Sequence, residues 1–362
     1  MYNQKVNIAP AFFFFEVLLI VGIIHGFIIT FLVWFNKKKS TSKLLLSFLL
    51  TAFNLLCIKI LIFTTGLWQT QVFRYFPLAL DLAIQPLIWL YISSLIKPGF
   101  QLVKKKLLHF IPFGISLAYS LFIYIVVLPE KGPAAKDIIA NSFYFNTIKE
   151  VEDFLSIGSA VIYWGLGLSL LLKYRQWLYN TISDTDYPTY AWLKNVAVLM
   201  GVLIAGLTIS ILLDYLFNFG DRHFLHWQLF FIYLAALIYY LGFRGYQLPD
   251  KKVVVDRLQT QEELPILFNT EKEKKLPEEK SLQLHDDIIK ALEVSELYLN
   301  PELNLQKLAK EINSTPALVS SVINSDFQKS FRNLINEYRV KKSETAIGRA
   351  KCEKAFHARH CL

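Results

Sequence analysis

The sequence predicts an all-α protein: a seven-helix transmembrane bundle followed by a linker and a small C-terminal helix-turn-helix domain. Three observations predict it. Of 362 residues, 54% are hydrophobic and only 19% charged, whereas soluble domains carry about 25% charged residues. The apolar residues are concentrated in 1–243, as run after run. Near the C-terminus, two short apolar-faced segments are separated by a turn of three residues, Asn313-Ser314-Thr315. An ordinary soluble enzyme, a disordered chain and a collagen-like chain are all excluded by this pattern.

A spanning helix needs about 20 mostly apolar residues. The segments 12–35, 44–65, 77–96, 107–128, 154–173, 195–217 and 224–243 meet that test. Each must be helical, because the bilayer interior offers backbone groups no water. The first run is too long for a cleavable leader and has no small-residue cleavage site after it, so it is expected to stay as an anchor. Pro86 and Pro112 fall inside the third and fourth segments and predict kinks. Trp34, Trp68, Trp177, Trp192 and Trp227 lie near segment ends and suit interfacial belts.

Loop charge predicts orientation. The loops after segments one, three and five hold eleven Lys and Arg, and the opposite side holds six. The richer side is expected in the cytoplasm. The N-terminus then lies outside and the C-terminus inside. Residues 1–243 carry eighteen Lys and Arg against eleven Asp and Glu, so the isoelectric point of 9.2 belongs mostly to membrane loops.

Four charged residues fall within the apolar segments: Glu16, Lys59, Asp81 and Asp214. All four lie toward the outer ends. Charge inside a bilayer is costly, so such residues pair or line a cavity. One reading is an outward-facing pocket for a signal ligand. The other is a set of packing salt bridges, or side chains reaching the interface. His25, Asn54, Gln85 and His226 are further polar residues in these segments.

Residues 247–281 are dense in Lys and Glu, with three prolines, and read as a solvated linker. The predicted domains are therefore 1–246, the membrane domain; 247–281, the linker; 282–346, the helical domain; and 347–362, an unstructured tail. Leu284, Ile288, Leu292 and Tyr298 give the helical domain's first apolar face. Asn304 is placed to cap a helix carrying Leu305, Leu308, Ala309 and Ile312. Pro316 suits the first position of the next helix, which turns Val319, Val322 and Ile323 inward. Ser330 can cap a third helix with Phe331, Leu334, Ile335 and Tyr338.

Two short helices with such a turn form a helix-turn-helix, whose second helix can enter a DNA major groove. Its outward positions are Ala317, Ser320, Ser321 and Asn324. Ser and Asn suit base edges or phosphates, and Ala suits a thymine methyl. Lys329 and Arg332, with Lys341 and Lys342, are placed for phosphates. Residues 297–342 carry seven basic and four acidic residues, which is little positive charge for one copy on DNA. A helical domain that binds a protein partner is the competing reading.

The run YLNPELNLQKLAKEINSTPALVSSVINSDFQKSFRNLINEYRV, 298–340, resembles the first half of an AraC-type DNA-binding domain. The membrane half is similar, more loosely, to the multi-span region of membrane-anchored bacterial regulators of that type, through LDLAIQPLIWLYISSL and LLHFIPFGISLAY. The resemblance implies a transcription regulator in the bacterial inner membrane, controlling genes in response to a signal sensed by the membrane part. It implies Ala317, Ser320, Ser321 and Asn324 as contacts to double-stranded DNA; a homodimer is one way in which a single unit could suffice. AraC-type domains have two helix-turn-helix units joined by a long helix, here expected from about Ser330 to Ala346. A second unit needs about forty residues, and sixteen follow Ala346. The expectation is a truncated domain.

No catalytic constellation or phosphate-binding glycine loop is present in the sequence, and no cofactor is implied. The alternative function is a multi-span receptor or transporter whose C-terminal helices bind a protein. The tail holds Cys352, His357, His360 and Cys361, which are zinc-ligand types, but their spacing matches no common finger.

Overall fold

The computed structural model describes residues 10–35, 40–97, 100–183, 188–217, 219, 224–247 and 278–360. It is all-α, and among the described residues the one strand-like pairing is an isolated bridge between Ile182 and Asn304. The chain forms two compact units. The first is Met1–Leu170 with Trp192–Asp256, and the second is Leu171–Ala191 with Arg257–Leu362. Most of the expected linker, 248–277, lies outside the described residues.

In the first unit the helices are α1 Pro10–Trp34, α2 Thr41–Thr64, α3 Ile84–Ile96, α4 Lys104–Leu107, α5 Ile111–Val127 and α6 Pro133–Ser142. They continue with α7 Phe145–Thr181, α8 Pro188–Phe217 and α9 Leu225–Gln247. Among the described residues, six helices are long and apolar enough to cross a membrane, counting Lys104–Val127 as one. Their outward residues include Phe14, Ile115 and Ile125, each about two-thirds exposed. Water would oppose such surfaces, and lipid accepts them. The protein is therefore membrane-associated.

The expected seventh span is the difference. Residues 76–83 are irregular backbone and turn, so α3 is only 13 residues long. Pro77 and Pro86 account for this. Pro86 stands in the first turn of α3, where a missing N–H leaves no bond unmade. Pro112 does the same in α5, after the short 3-10 turn Leu108–Phe110. The two prolines therefore start helices instead of kinking them.

The fifth segment was expected as 154–173, whereas α7 runs for 37 residues. Apolar content locates only the lipid-embedded part of a helix. Local pairs such as Lys149–Glu152, 2.6 Å apart at i,i+3, continue it into polar sequence. Helix α6 arises where a loop was expected. Gly132 turns the chain with φ of 107°, and Pro133 takes the first helical position.

Helices α1, α2 and α9 pack closely through small residues. A Cβ on Gly26 would fall 2.1 Å from Asn54 Oδ1, and one on Gly242 would fall 2.3 Å from a methyl carbon of Ile29. Small residues let helices approach where lipid gives no hydrophobic drive to associate. Trp192, expected at an interface, is instead buried and donates to Tyr91 Oη at 3.1 Å.

Among the described residues the second unit contains the end of α7, the start of α8, the 3-10 turn Leu297–Leu299 and four further α-helices: α10 Glu278–Glu293, α11 Leu305–Glu311, α12 Pro316–Ser325 and α13 Phe331–His360. Its core joins Ile288, Leu292, Leu308, Val319, Ile323 and Ile335, all buried. Asn304 Oδ1 accepts from Lys307 N at 2.8 Å and starts α11. Asn313, at φ of 51°, ends it, with Ser314 N donating to Ala309 O and Asn313 N to Lys310 O. Thr315 then caps α12, and Ser330 caps α13. The last helix runs past Ala346, so most of the expected unstructured tail is helical. Residues 347–360 are rich in Ala, Lys, Arg and Glu, which favour helix. The side chains of Cys352, His357 and His360, and all of Cys361, lie outside the described residues.

Candidate functional site

A cavity of about 590 Å³ opens within the first unit. Its floor is apolar, with Phe53, Leu56, Leu203 and Leu234, and Trp68, Trp164 and Trp227 add aromatic wall. That size and lining suit a small organic molecule.

Three of the four intramembrane charges reach this cavity: Lys59, Asp81 and Asp214. Lys59 Nζ and Asp81 Oδ2 form an ion pair at 2.9 Å, joining α2 to the turn before α3. Asp214, near the end of α8, is held from α9. His226 Nε2 lies 2.9 Å from one of its oxygens, and Trp227 Nε1 donates to the other at 2.7 Å. Glu16 does not join them. It lies on α1, its Oε1 buried without a partner, and it is not part of the cavity wall. The four are thus distributed over three sites.

The sequence reading missed the rest of the polar wall. Arg74, from the loop between α2 and α3, grips Asp137 of α6 with Nε to Oδ1 at 3.0 Å and Nη2 to Oδ2 at 2.6 Å. Tyr75 Oη donates to the same carboxylate at 2.8 Å. Burial, then that hydrogen bond, pushes the Tyr75 phenol up. Tyr75 also carries φ of 63°, a backbone state most side chains avoid. Its ring packs edge-on against Phe145 at 4.8 Å. Asp153 of α7 faces the cavity, and no hydrogen bond or ion pair reaches it among the described residues. Asp137 and Asp153 lay outside the apolar segments, so a search for charge inside those segments passed over them.

Two more wall groups are buried without a hydrogen-bond partner, an amide oxygen that accepts and a hydroxyl that can accept or donate. Gln85 Oε1 and Ser156 Oγ have no hydrogen-bond partner, and their residues are 7% and 3% exposed. Groups of three or more His, Cys, Asp or Glu spaced to hold a metal are absent among the described residues.

In the second unit, α11 and α12 are joined through Ile312–Thr315. On α12, Val319, Val322 and Ile323 are buried, while Ala317 and Asn324 are exposed and Ser320 and Ser321 half-buried. Asn324 Nδ2 lies 3.5 Å from Ser320 Oγ, one turn back on the same face. Lys329 is ion-paired with Glu337, and the Arg332 guanidinium lies 4.9 Å from the Tyr179 ring centre. Lys341 reaches Glu337 at 3.4 Å, and Lys342 pairs with Glu296.

Arg339 ties three segments of the unit to one another. Its Nε donates to Tyr298 O at 2.7 Å and its Nη2 to Asn300 O at 2.8 Å. The same guanidinium donates to the backbone and side-chain oxygens of Ser183, just beyond α7, at 3.4 and 3.2 Å. Ser183 Oγ donates in turn to Leu303 O. Arg339 falls where the sequence shows only a basic residue on a polar helix, so nothing in the pattern marks this role.

Comparison with known proteins finds no match: no family model, no curated protein and no solved structure corresponds to this chain.

Proposed function

We propose that the protein is a membrane-bound transcription regulator that binds specific DNA sequences through α11 and α12. The observation that carries this reading is the face of α12. Val319, Val322 and Ile323 are used in the core, and Ala317, Ser320, Ser321 and Asn324 are left as a strip of small and polar side chains beside an exposed Leu318. Small groups of this kind allow close approach to base edges. The AraC-type resemblance of 298–340 supports the same reading.

In this proposal the protein sits in the bacterial inner membrane with its N-terminus outside and its C-terminus in the cytoplasm. The cavity takes a signal ligand. Helix α7 contributes Asp153 and Ser156 to the cavity wall and ends at Thr181, two residues before the Arg339 bracket. A change at the cavity is thereby carried along one continuous helix. Lys329 and Arg332 contact phosphates only once released from Glu337 and Tyr179, and a homodimer adds the charge one copy lacks.

The pairing of Lys329, Lys341 and Lys342 with carboxylates favours the second reading, a receptor whose C-terminal helices bind a protein. The test is selection of a random-sequence duplex library on the full chain in nanodiscs. Regulation predicts an enriched motif, retention that falls steeply with salt, and a relaxed motif in Ser321→Ala and Asn324→Ala. Absence of enrichment, or a motif unaltered by both variants, overturns the DNA reading.

A further inference from the structure

The polar groups of the cavity have a definite charge balance. Its wall carries four carboxylates, Asp81, Asp137, Asp153 and Asp214, and two fixed cations, Lys59 and Arg74. Lys59 is committed to Asp81 and Arg74 to Asp137. Asp214 accepts from Trp227 Nε1 and lies 2.9 Å from His226 Nε2, and Asp153 has no ion pair among the described residues. Lys149, the other nearby cation, is bonded to Glu152 and to Ser120 Oγ and is not part of the wall. Negative charge is therefore left over.

The hydrogen-bond balance has the same sign. Gln85 Oε1 can only accept, and it is buried at the wall with nothing donating to it. Ser156 Oγ, one turn after Asp153 on the same helix, is also without a partner and can accept as well as donate. A buried acceptor left unmet costs about 1–3 kcal/mol. What the cavity lacks is a donor with positive charge. The aromatic walls add to this, since ring faces attract cations. A carboxylate or phosphate ligand would face uncompensated negative charge and bring no donors.

We propose that this cavity binds an organic cation: a protonated amine on an aromatic or aliphatic body, its ammonium toward Asp153 and Gln85 and its body against the apolar floor. The identity of the site as a sensor rests on the reading given above, but binding itself does not.

The experiment is isothermal titration of the full chain in zwitterionic-lipid nanodiscs, with empty nanodiscs as reference. Tryptamine is compared with indole-3-propionate, which has a similar body and the opposite charge, and phenethylamine and octylamine complete the series. Saturable binding of at least one amine is expected, with indole-3-propionate about tenfold weaker or more. Asp153→Asn and Gln85→Leu should each weaken the amine several-fold. Because Asp153 is exposed to the cavity, its variant is expected to fold normally. Preference for the anion, amine binding that ignores both substitutions, or no saturable binding of any of the three amines overturns the proposal. DNA capture is read separately on the same samples. Amine binding without any effect on DNA leaves this site standing and overturns its coupling to regulation. Loss of DNA capture in every sample overturns the regulator alone.

Discussion

The two units treat buried polar groups in opposite ways. In the first, Gln85, Ser156, Asn54, Ser93, Glu16 and His226 each keep one buried side-chain atom without a partner. In the second, no described side chain does. The second unit caps α11, α12 and α13 with Asn304, Thr315 and Ser330 and gives Arg339 four oxygens. A small domain has little core to spare and must satisfy its polar atoms. A large bundle in lipid tolerates unmet acceptors at a cavity, and a binding site requires them. The difference marks the second unit as built for a fixed shape and the first as built around a space.

The largest expected effect breaks the second unit. Leu308 is fully buried at the centre of its core. Leu308→Ala should cost about 2–5 kcal/mol. Hydrogen exchange should rise across α10 to α13 and stay unchanged in α2 and α9. Equal loosening of both units would remove the basis for contrasting them.

The second effect sharpens the contrast, because its sign is opposite. Gln85→Leu removes an unmet buried acceptor while roughly keeping its volume. The first unit should gain about 1–3 kcal/mol, seen as a higher melting temperature in nanodiscs, together with weaker amine binding. A variant that loses stability would mean that Gln85 serves the fold and not the cavity.

A smaller effect tests how far the second unit depends on its caps. Asn304→Ala leaves Lys307 N without its acceptor and should cost about 1 kcal/mol. Asn304→Asp should restore most of it. Exchange at the first amides of α11 is the measurement.

Much of the second unit was legible in sequence because its signals are local. A cap, a proline and a 3.6-residue repeat each act within one turn, so Asn304, Pro316 and the Val319, Val322 and Ile323 face can be read from the sequence alone. The membrane helices were legible by length, except where prolines reset a boundary at α3 and where polar sequence prolonged α7. The cavity was legible only in part. Hydropathy shows that a charge is misplaced in lipid, which found Lys59, Asp81 and Asp214. It cannot show which loops return over the bundle, and Arg74, Asp137 and Asp153 depend on that. Arg339 was invisible for the same reason, since its partners lie 39 to 156 residues away in sequence.

The smallest effect concerns the surface of the second unit, where pH separates screened ion pairs from a half-buried phenol. The hydrogen bond from Lys342 holds Glu296 below the usual carboxylate range, and that from Lys329, with Lys341 adding to it, does the same for Glu337. A carboxyl lowered in the folded state contributes stability above its unfolded pKa of about 4.3. That contribution is lost as pH falls from there through the folded value. Tyr338 behaves in reverse. Burial, then donation to Glu293 at 3.1 Å, pushes its phenol up to about 12. Its contribution is complete below about pH 10 and is lost as pH rises from there toward 12. The denaturation midpoint of the second unit, followed at the Ile323 methyl resonance, should therefore show a shallow acid limb and an alkaline limb. Glu296→Gln should flatten the first, and Tyr338→Phe should remove the second. About 1 M salt should weaken the acid limb, because exposed pairs are screened, and leave the alkaline limb in place, because burial is not. An alkaline limb that persists in Tyr338→Phe would place the titrating group elsewhere in the unit.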